Sequence, residues 1–255
     1  MAVRDEKKIQ SRTSLLPIFI EAVDLPDSWF KVIWNIMEHG YRYLVERGSY
    51  EGSERIELDF AFIHIKDPGS GPLIPEIPHT LGIPNPTSLD YVEQEYFPRY
   101  IMSSEKAEGE QYTYGERINL PVKDDFLSVR KTQIEWAIEI LKNTPNTNQA
   151  VIEVAQPSDI TVRGKDNHPD PPCLRLVDCR VRYGKLHLIV YFRSWDAWSG
   201  YPVNMAGIEL LKQFMANEIG VDNGELIASS KGLHIYKYAE EAAKIRTYLK
   251  ESKNY

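Results

Sequence analysis

The chain is 255 residues long, with 42% apolar and 26% charged side chains and a formal net charge of −7. Its 15 Tyr, 8 Phe and 5 Trp give ample surface to bury, which excludes a disordered chain, and the acidic surplus argues against a specific nucleic-acid partner or a binder of anionic membranes. No run approaches the roughly 20 apolar residues of a membrane span, residues 1–12 lack an apolar signal core, and only two cysteines are present, so a cytoplasmic protein with neither a disulfide framework nor a zinc site is expected.

Pro26-Asp27-Ser28 reads as a helix start with Asp27 or Ser28 as N-cap. Phe30, Ile33, Trp34, Met37, Tyr41, Leu44 and Val45 then recur at helical spacing until Gly48. Ile56, Leu58, Phe60 and Phe62 alternate with Glu57, Asp59 and Ala61, the pattern of one half-buried strand. Six prolines between Pro68 and Pro86 predict a long loop, and residues 89–101 a short helix interrupted near Pro98. Asp124 and Asp125 are read as opening another helix, whose stripe is Leu127, Ile134, Ala137, Ile138 and Leu141.

Residues 150–154 form a predicted strand and 156–172 a polar, proline-rich loop. Strands at 173–182 and 186–192 meet at Tyr183-Gly184-Lys185 as a hairpin. Residues 205–219 are a strong helix, 226–228 a strand and 239–250 a closing helix. No repeat or composition shift divides residues 1–255, so one α+β domain is predicted. The strand at 186–192 is apolar on both faces, as in a sheet covered on both sides.

Cys173 follows Asp170-Pro171-Pro172 and opens a strand beside a polar loop. It is either a buried, inert thiol or a nucleophile, and the second needs a cation or helix N-terminus nearby. Cys179 lies inside the strand, roughly 20 Å away along an extended chain, too far for a disulfide. Arg193, Ser194 and Asp196 follow an apolar strand, where polar side chains are often placed to face a ligand. Arg193 suits a phosphate or a thiolate, and an Arg193–Asp196 surface ion pair is the plain alternative. Asn204 is either a helix cap or a carboxamide reading the edge of a pyrimidine. His234 and Tyr236, two apart on a strand, share a face on which a sugar hydroxyl could be held. His168 is read as a solvated loop residue.

Taken in order, these segments resemble the thymidylate synthase family, and its archaeal branch more than its bacterial one. The carriers are Pro171-Pro172-Cys173, Arg193-Ser194-Trp195-Asp196, Asn204-Met205-Ala206 and His234-Ile235-Tyr236, with Tyr112-Thr113-Tyr114-Gly115 upstream. The match spans Tyr112 and then about residues 173–238; the first hundred residues match poorly.

The resemblance implies a fold with a large mixed β-sheet flanked by helices, two such sheets packing face to face in a homodimer. It implies dUMP as substrate and 5,10-methylene-tetrahydrofolate, or a related tetrahydropterin, as cosubstrate, with no metal. Cys173 would add to C6 of uracil and make C5 nucleophilic. Arg193 would bind the 5′-phosphate and hold the thiolate, Ser194 would assist at the phosphate, and Asn204 would pair with the uracil edge. His234 and Tyr236 would hold the deoxyribose hydroxyl, Asp196 would face the pterin, and Tyr114 would lie near the nucleophile. Glu95, with Glu93 second, is the candidate general acid/base, and Arg55, with Arg47 close by, the candidate N-terminal phosphate arginine.

Three departures stand out. Thr147-Asn148-Gln149 occupies the place of the paired arginines that bacterial members lend to the partner subunit, Leu174 stands where a histidine is usual, and the proline-rich segment leaves the pterin pocket open to a modified pterin. A nucleotide hydroxymethylase acting on dCMP, CMP or dUMP, or a non-catalytic nucleotide- or RNA-binding homologue, are the alternatives.

Overall fold

A computed structural model describes residues 13–46, 50–124, 128–161 and 171–247. Strand β1 (Pro17–Ala22), which the sequence pattern did not single out, leads into helix α1 (Leu25–His39). Asp24, rather than Asp27 or Ser28, is the N-cap: its carboxylate accepts from the Asp27 backbone N–H at 2.9 Å. The Asp27 carboxylate turns back to Val23 N–H at 2.9 Å.

The helix ends nine residues before Gly48, about two and a half turns, and Gly48 itself lies outside the described residues. At Gly40 an added Cβ would come within 2.5 Å of Ile36 O and 2.6 Å of Ile56 Cγ2, so the chain can pass so close only without a side chain. Tyr41 and Leu44, counted in the helical stripe, instead belong to strand β2 (Tyr41–Leu44). The stripe actually buried is Leu25, Trp29, Val32, Ile33 and Ile36.

The single strand expected across 56–62 is two strands, β3 (Glu54–Leu58) and β4 (Phe60–Ile65), which enter different sheets. The break falls at Asp59, whose carboxylate accepts from Leu16 N–H at 2.8 Å. After the proline-rich loop, α2 (Leu89–Tyr91) continues as a wide, π-type turn over Val92–Ile101. Pro98 does not interrupt this segment. The widened i→i−5 pattern, seen where Met102 N–H bonds Phe97 O at 3.0 Å, accommodates it.

Helix α3 (Tyr114–Ile118) is capped by Thr113. The helix expected from Asp124 begins only at Gln133. Asp124 ends β5 (Val122–Asp124), which pairs with β6 (Val129–Lys131), while Asp125 and Leu127 lie outside the described residues. Thr132 and Glu135 form a reciprocal capping box that starts α4 (Gln133–Asn143), a stronger stop than the acidic pair. Ile134, Ala137, Ile138 and Leu141 are buried on it, as their spacing predicts.

The remaining elements are β7 (Val151–Glu153), β8 (Leu174–Arg182), β9 (Lys185–Phe192), β10 (Trp195–Asp196), α5 (Gly200–Ile219), β11 (Asp222–Ser230), β12 (Leu233–Tyr236) and α6 (Glu240–Thr247). Tyr183 and Gly184, both at positive φ, make the β8–β9 hairpin turn. Helix α5 starts five residues earlier than expected, with Pro202 in its first turn.

Two sheets organise the molecule. A mixed six-stranded sheet runs β1-β4-β11-β9-β8-β7, and a four-stranded one runs β10-β12-β3-β2. Helices α1, α4 and α5 cover one face of the larger sheet, burying Ile20, Ile63, Ala228, Val190, Phe192 and Val177. The register puts Phe19, Phe62, His64, Ile227, Ile189 and Tyr191 together on the opposite face. There Phe19 and Phe62 are exposed and stack at 5.5 Å. Both sheets end near Arg193, where β9 leaves one and β10 begins the other. This crossover positions the site.

Candidate active site

Cys173 is the last residue before β8 and is half-buried. Arginines hold both carbonyls that precede it. Arg193 donates through Nε and Nη2 to Pro171 O, at 3.0 and 2.5 Å, and its backbone N–H bonds Cys173 O at 2.9 Å. Arg175 donates to Pro172 O at 3.1 Å. The Arg175 guanidinium is itself fixed by the buried carboxylate of Asp159, 3.0 Å away, which also pairs with Arg117 of α3 at 3.0 Å and accepts from Gln156 N–H at 2.9 Å. Burial alone would raise the Asp159 carboxyl, but the Gln156 bond and the two guanidiniums outweigh it and hold it below the usual range.

Tyrosines surround the thiol. Tyr112 OH lies 3.8 Å from Sγ. Tyr114 OH accepts from Leu174 N–H at 3.4 Å. Next to it, Gly115 lets α3 press on the 100–103 backbone: a Cβ there would meet Ser103 O at 2.2 Å. Burial pushes the Tyr96 and Tyr114 hydroxyls well above their ordinary values, and proximity to Cys173 adds to both. They therefore remain protonated donors.

Asn204 is not a cap, since it lies inside α5. Its Oδ1 accepts from the Trp195 indole N–H at 2.9 Å and its Nδ2 donates to Tyr96 OH at 2.6 Å. Trp195 is buried, stacked on Phe192 at 3.8 Å with 7° between planes.

His234 is buried, with Nδ1 2.8 Å from Gly232 O and 3.7 Å from Glu57 Oε2. Burial lowers its pKa to about 4, so the ring is neutral, and the carbonyl at Nδ1 fixes the proton there. Nε2 is thereby left as a buried acceptor with no bonded partner among the described residues. Tyr236 packs edge-on to it at 4.5 Å and against Tyr50 at 4.4 Å. Arg55 sits opposite Tyr236 on β3, with its guanidinium over the Tyr43 ring, bonded to the Tyr43 hydroxyl and 3.0 Å from Glu57.

Asp196 Oδ1 accepts from Trp198 N–H at 3.0 Å, and Oδ2 from Ser199 Oγ at 2.5 Å and Tyr238 OH at 3.1 Å. The Arg193–Asp196 ion pair does not form, because each group takes other partners. Ser194 is half-buried between β9 and β10.

Glu95 stands apart from this group in the structure. Tyr96 takes the inward face of the wide helix, leaving Glu95 and Glu93 exposed, and Glu95 lies 3.8 Å from Arg99. Arg47 and His168 lie outside the described residues. Sequence reasoning missed Tyr96 and Asp159, whose partners Asn204 and Arg117 are distant in the chain, and Arg175; Tyr112 and Trp195 stood in family-like segments without a role. A cleft of about 530 Å³ borders the cluster, lined by Tyr91, Tyr96, Ser199, Gly200, Val203 and Asn204 among others. No group of three or more His, Cys, Asp or Glu side chains suited to a metal occurs among the described residues. No helix among them is long and apolar enough to cross a membrane.

A thiol, a guanidinium, a carboxamide and a neutral imidazole thus stand on neighbouring elements where the two sheets meet. The fold has solved relatives. Thermostable thymidylate synthase A from Bacillus subtilis superposes with a TM-score of 0.65 at 17% identity, over 89% of this chain and 84% of that one. A protein named "Putative thymidylate synthase" from Methanosarcina acetivorans is 30% identical over 224 residues, 86% of this chain and 89% of its own length. A thymidylate synthase from Listeria monocytogenes is 35% identical over 112 residues, 44% of this chain and 34% of that protein. The thymidylate synthase family model matches residues 102–254, and the chain belongs to that family.

Proposed function

We propose that the protein methylates dUMP to dTMP, using 5,10-methylene-tetrahydrofolate or a related tetrahydropterin, with Cys173 as nucleophile. The observation that carries this reading is the convergence of Arg193, Tyr112 and Tyr114 on the Cys173 segment, with Asn204 tied to Tyr96 beside it.

Arg193 binds the 5′-phosphate, aided by Ser194, and its fixed positive charge favours the thiolate of Cys173. The thiolate forms an S–C6 bond as the C5=C6 electron pair moves toward C5 and O4. The same bond breaks, and the pair returns, when product leaves. Asn204 pairs with N3–H and O4, where charge develops. The neutral His234 accepts the sugar hydroxyl at Nε2, with Tyr236 alongside and Arg55 behind them. Tyr114 holds a proton next to the nucleophile. The proton displaced from C5 when the one-carbon unit bonds there goes to a base, for which Glu95, with Glu93 second, is the proposed acceptor, while the protonated tyrosines serve as donors.

The cosubstrate supplies the one-carbon unit and the hydride. The 530 Å³ cleft, with Tyr91 and Tyr96 as aromatic walls, suits a flat ring system. Asp196 stands beside it, and its carboxylate keeps acceptor capacity beyond its three internal bonds for N–H groups of a pterin. The half-exposed apolar face around Phe19 and Phe62 supports a homodimer joined through the larger sheets.

Turnover is measured with methylene-tetrahydrofolate and dUMP, reading product mass and dihydrofolate absorbance. A methylated product with dihydrofolate, abolished in Cys173→Ala, is expected. A hydroxymethyl product without dihydrofolate identifies a nucleotide hydroxymethylase, and nucleotide binding without turnover with any tetrahydropterin identifies a non-catalytic homologue.

A further inference from the structure

We propose that Trp195 sets the pyrimidine preference of this site by locking the orientation of the Asn204 carboxamide; this rests on the nucleotide reading above. A carboxamide can present either of two faces, because its oxygen and nitrogen are nearly the same size and a rotation of 180° exchanges them. Here one neighbour decides between them. An indole N–H only donates, so the atom 2.9 Å from Trp195 Nε1 is the Asn204 oxygen. The nitrogen then faces Tyr96, and the 2.6 Å contact is Nδ2–H donating to the phenol oxygen. Tyr96 alone would not decide, since a hydroxyl both donates and accepts.

In this orientation Asn204 retains one lone pair on Oδ1 and one hydrogen on Nδ2. That pair of groups complements N3–H and O4 of uracil. Cytosine presents the reverse, an acceptor at N3 and a donor at N4. Reading it would require the amide to rotate, and Nδ2 would then face the Trp195 N–H, donor against donor, in a buried setting. The lock is stiff. Trp195 is 2% exposed and stacks flat on Phe192 at 3.8 Å, and Tyr201 packs on it at 4.6 Å. The indole therefore has no second place to go. A site committed to one hydrogen-bond pattern rejects the other by leaving groups unpaired.

The experiment compares dUMP and dCMP binding by calorimetric titration in three proteins: wild type, Trp195→Phe, and a protein with 3-benzothienylalanine at 195. The last has sulfur where the indole has N–H and keeps the ring volume, so it tests the lock even if the Phe variant fails to fold. Wild type is expected to bind dUMP more tightly than dCMP by at least about tenfold, and both substitutions to reduce that ratio about tenfold or more. A ratio unchanged in the isostere overturns the lock while leaving the nucleotide reading intact. So does a wild-type protein that binds dCMP as tightly as dUMP. A wild-type protein that binds neither nucleotide overturns the nucleotide reading and the lock together.

Discussion

At the scale of single residues, His234 links binding to pH. Its ring is neutral because burial lowers the pKa to about 4, whereas in an unfolded chain it titrates near 6.5. Between those values the unfolded chain holds the extra proton, so this group's contribution to stability is complete above about 6.5 and is lost as pH falls toward 4. The expected outcome is a melting midpoint that drops from pH 7 to pH 5 more steeply in wild type than in His234→Gln. Equal slopes would mean that the ring is already charged or that the loss lies elsewhere. Cys173, Arg193, Asn204, His234 and Tyr236 were legible as candidates because each stands in a short motif. Trp195 and Tyr96 carried no such signal. Trp195 filled the variable place in Arg193-Ser194-Trp195-Asp196, and Tyr96 lay unremarked within the helix expected over residues 89–101. Their significance comes from the contacts of both with Asn204, which no local pattern encodes.

At the scale of elements, one buried carboxylate joins two pieces of the site. Asp159 ties α3, which carries Tyr114, to the start of strand β8, through Arg117 on one side and Arg175 with Pro172 O on the other. Asp159→Asn keeps the shape but leaves two partly buried guanidiniums without their counter-charge, a loss of about 2–3 kcal/mol after allowing for their partial exposure. If the tie positions the nucleophile, kcat falls about tenfold or more while KM for the nucleotide changes little, because Arg193 and Asn204 are untouched. Iodoacetamide alkylation of Cys173 should then also show an altered pH profile. A lowered melting midpoint with unchanged kcat and alkylation would reduce Asp159 to a structural role.

Element limits were the least legible part of the fold. The α1 stripe ran on past Gly40 in the sequence because Tyr41 and Leu44 of β2, with Val45, happen to fall at helical spacing. The helix ends at Gly40, which is extended and has Ile36 O and Ile56 Cγ2 where a side chain would be. Gly40→Ala should therefore destabilise the protein by about 1–3 kcal/mol, seen as a lower urea midpoint, although alanine is the better helix former. A neutral or stabilising effect would show that the packing around Gly40 yields.

At the scale of the whole molecule, helices among the described residues cover the larger sheet on one side only. Helices α1, α4 and α5 seal one face, and the other brings Phe19, Phe62, Ile189, Tyr191 and Ile227 together at matched register. The sequence signal for this was already present in residues 186–192, apolar at successive positions where a strand with one wet face would alternate. A second copy of the same face is the cover that the family resemblance implies, and a two-fold pairing would set Phe62 and its stacked neighbour Phe19 against apolar side chains of the partner. Phe62→Asp tests this directly, because it places a charge where the proposed contact is dry but leaves the helix-side core of the subunit intact. Light scattering of wild type should give twice the chain mass, and the variant the mass of one chain with unchanged far-ultraviolet circular dichroism. A wild-type protein that remains monomeric at assay concentration would sink the paired-sheet arrangement. A Phe62→Asp dimer would move the interface to another surface, since no buried apolar contact absorbs an unpaired carboxylate at its centre without a large loss of affinity.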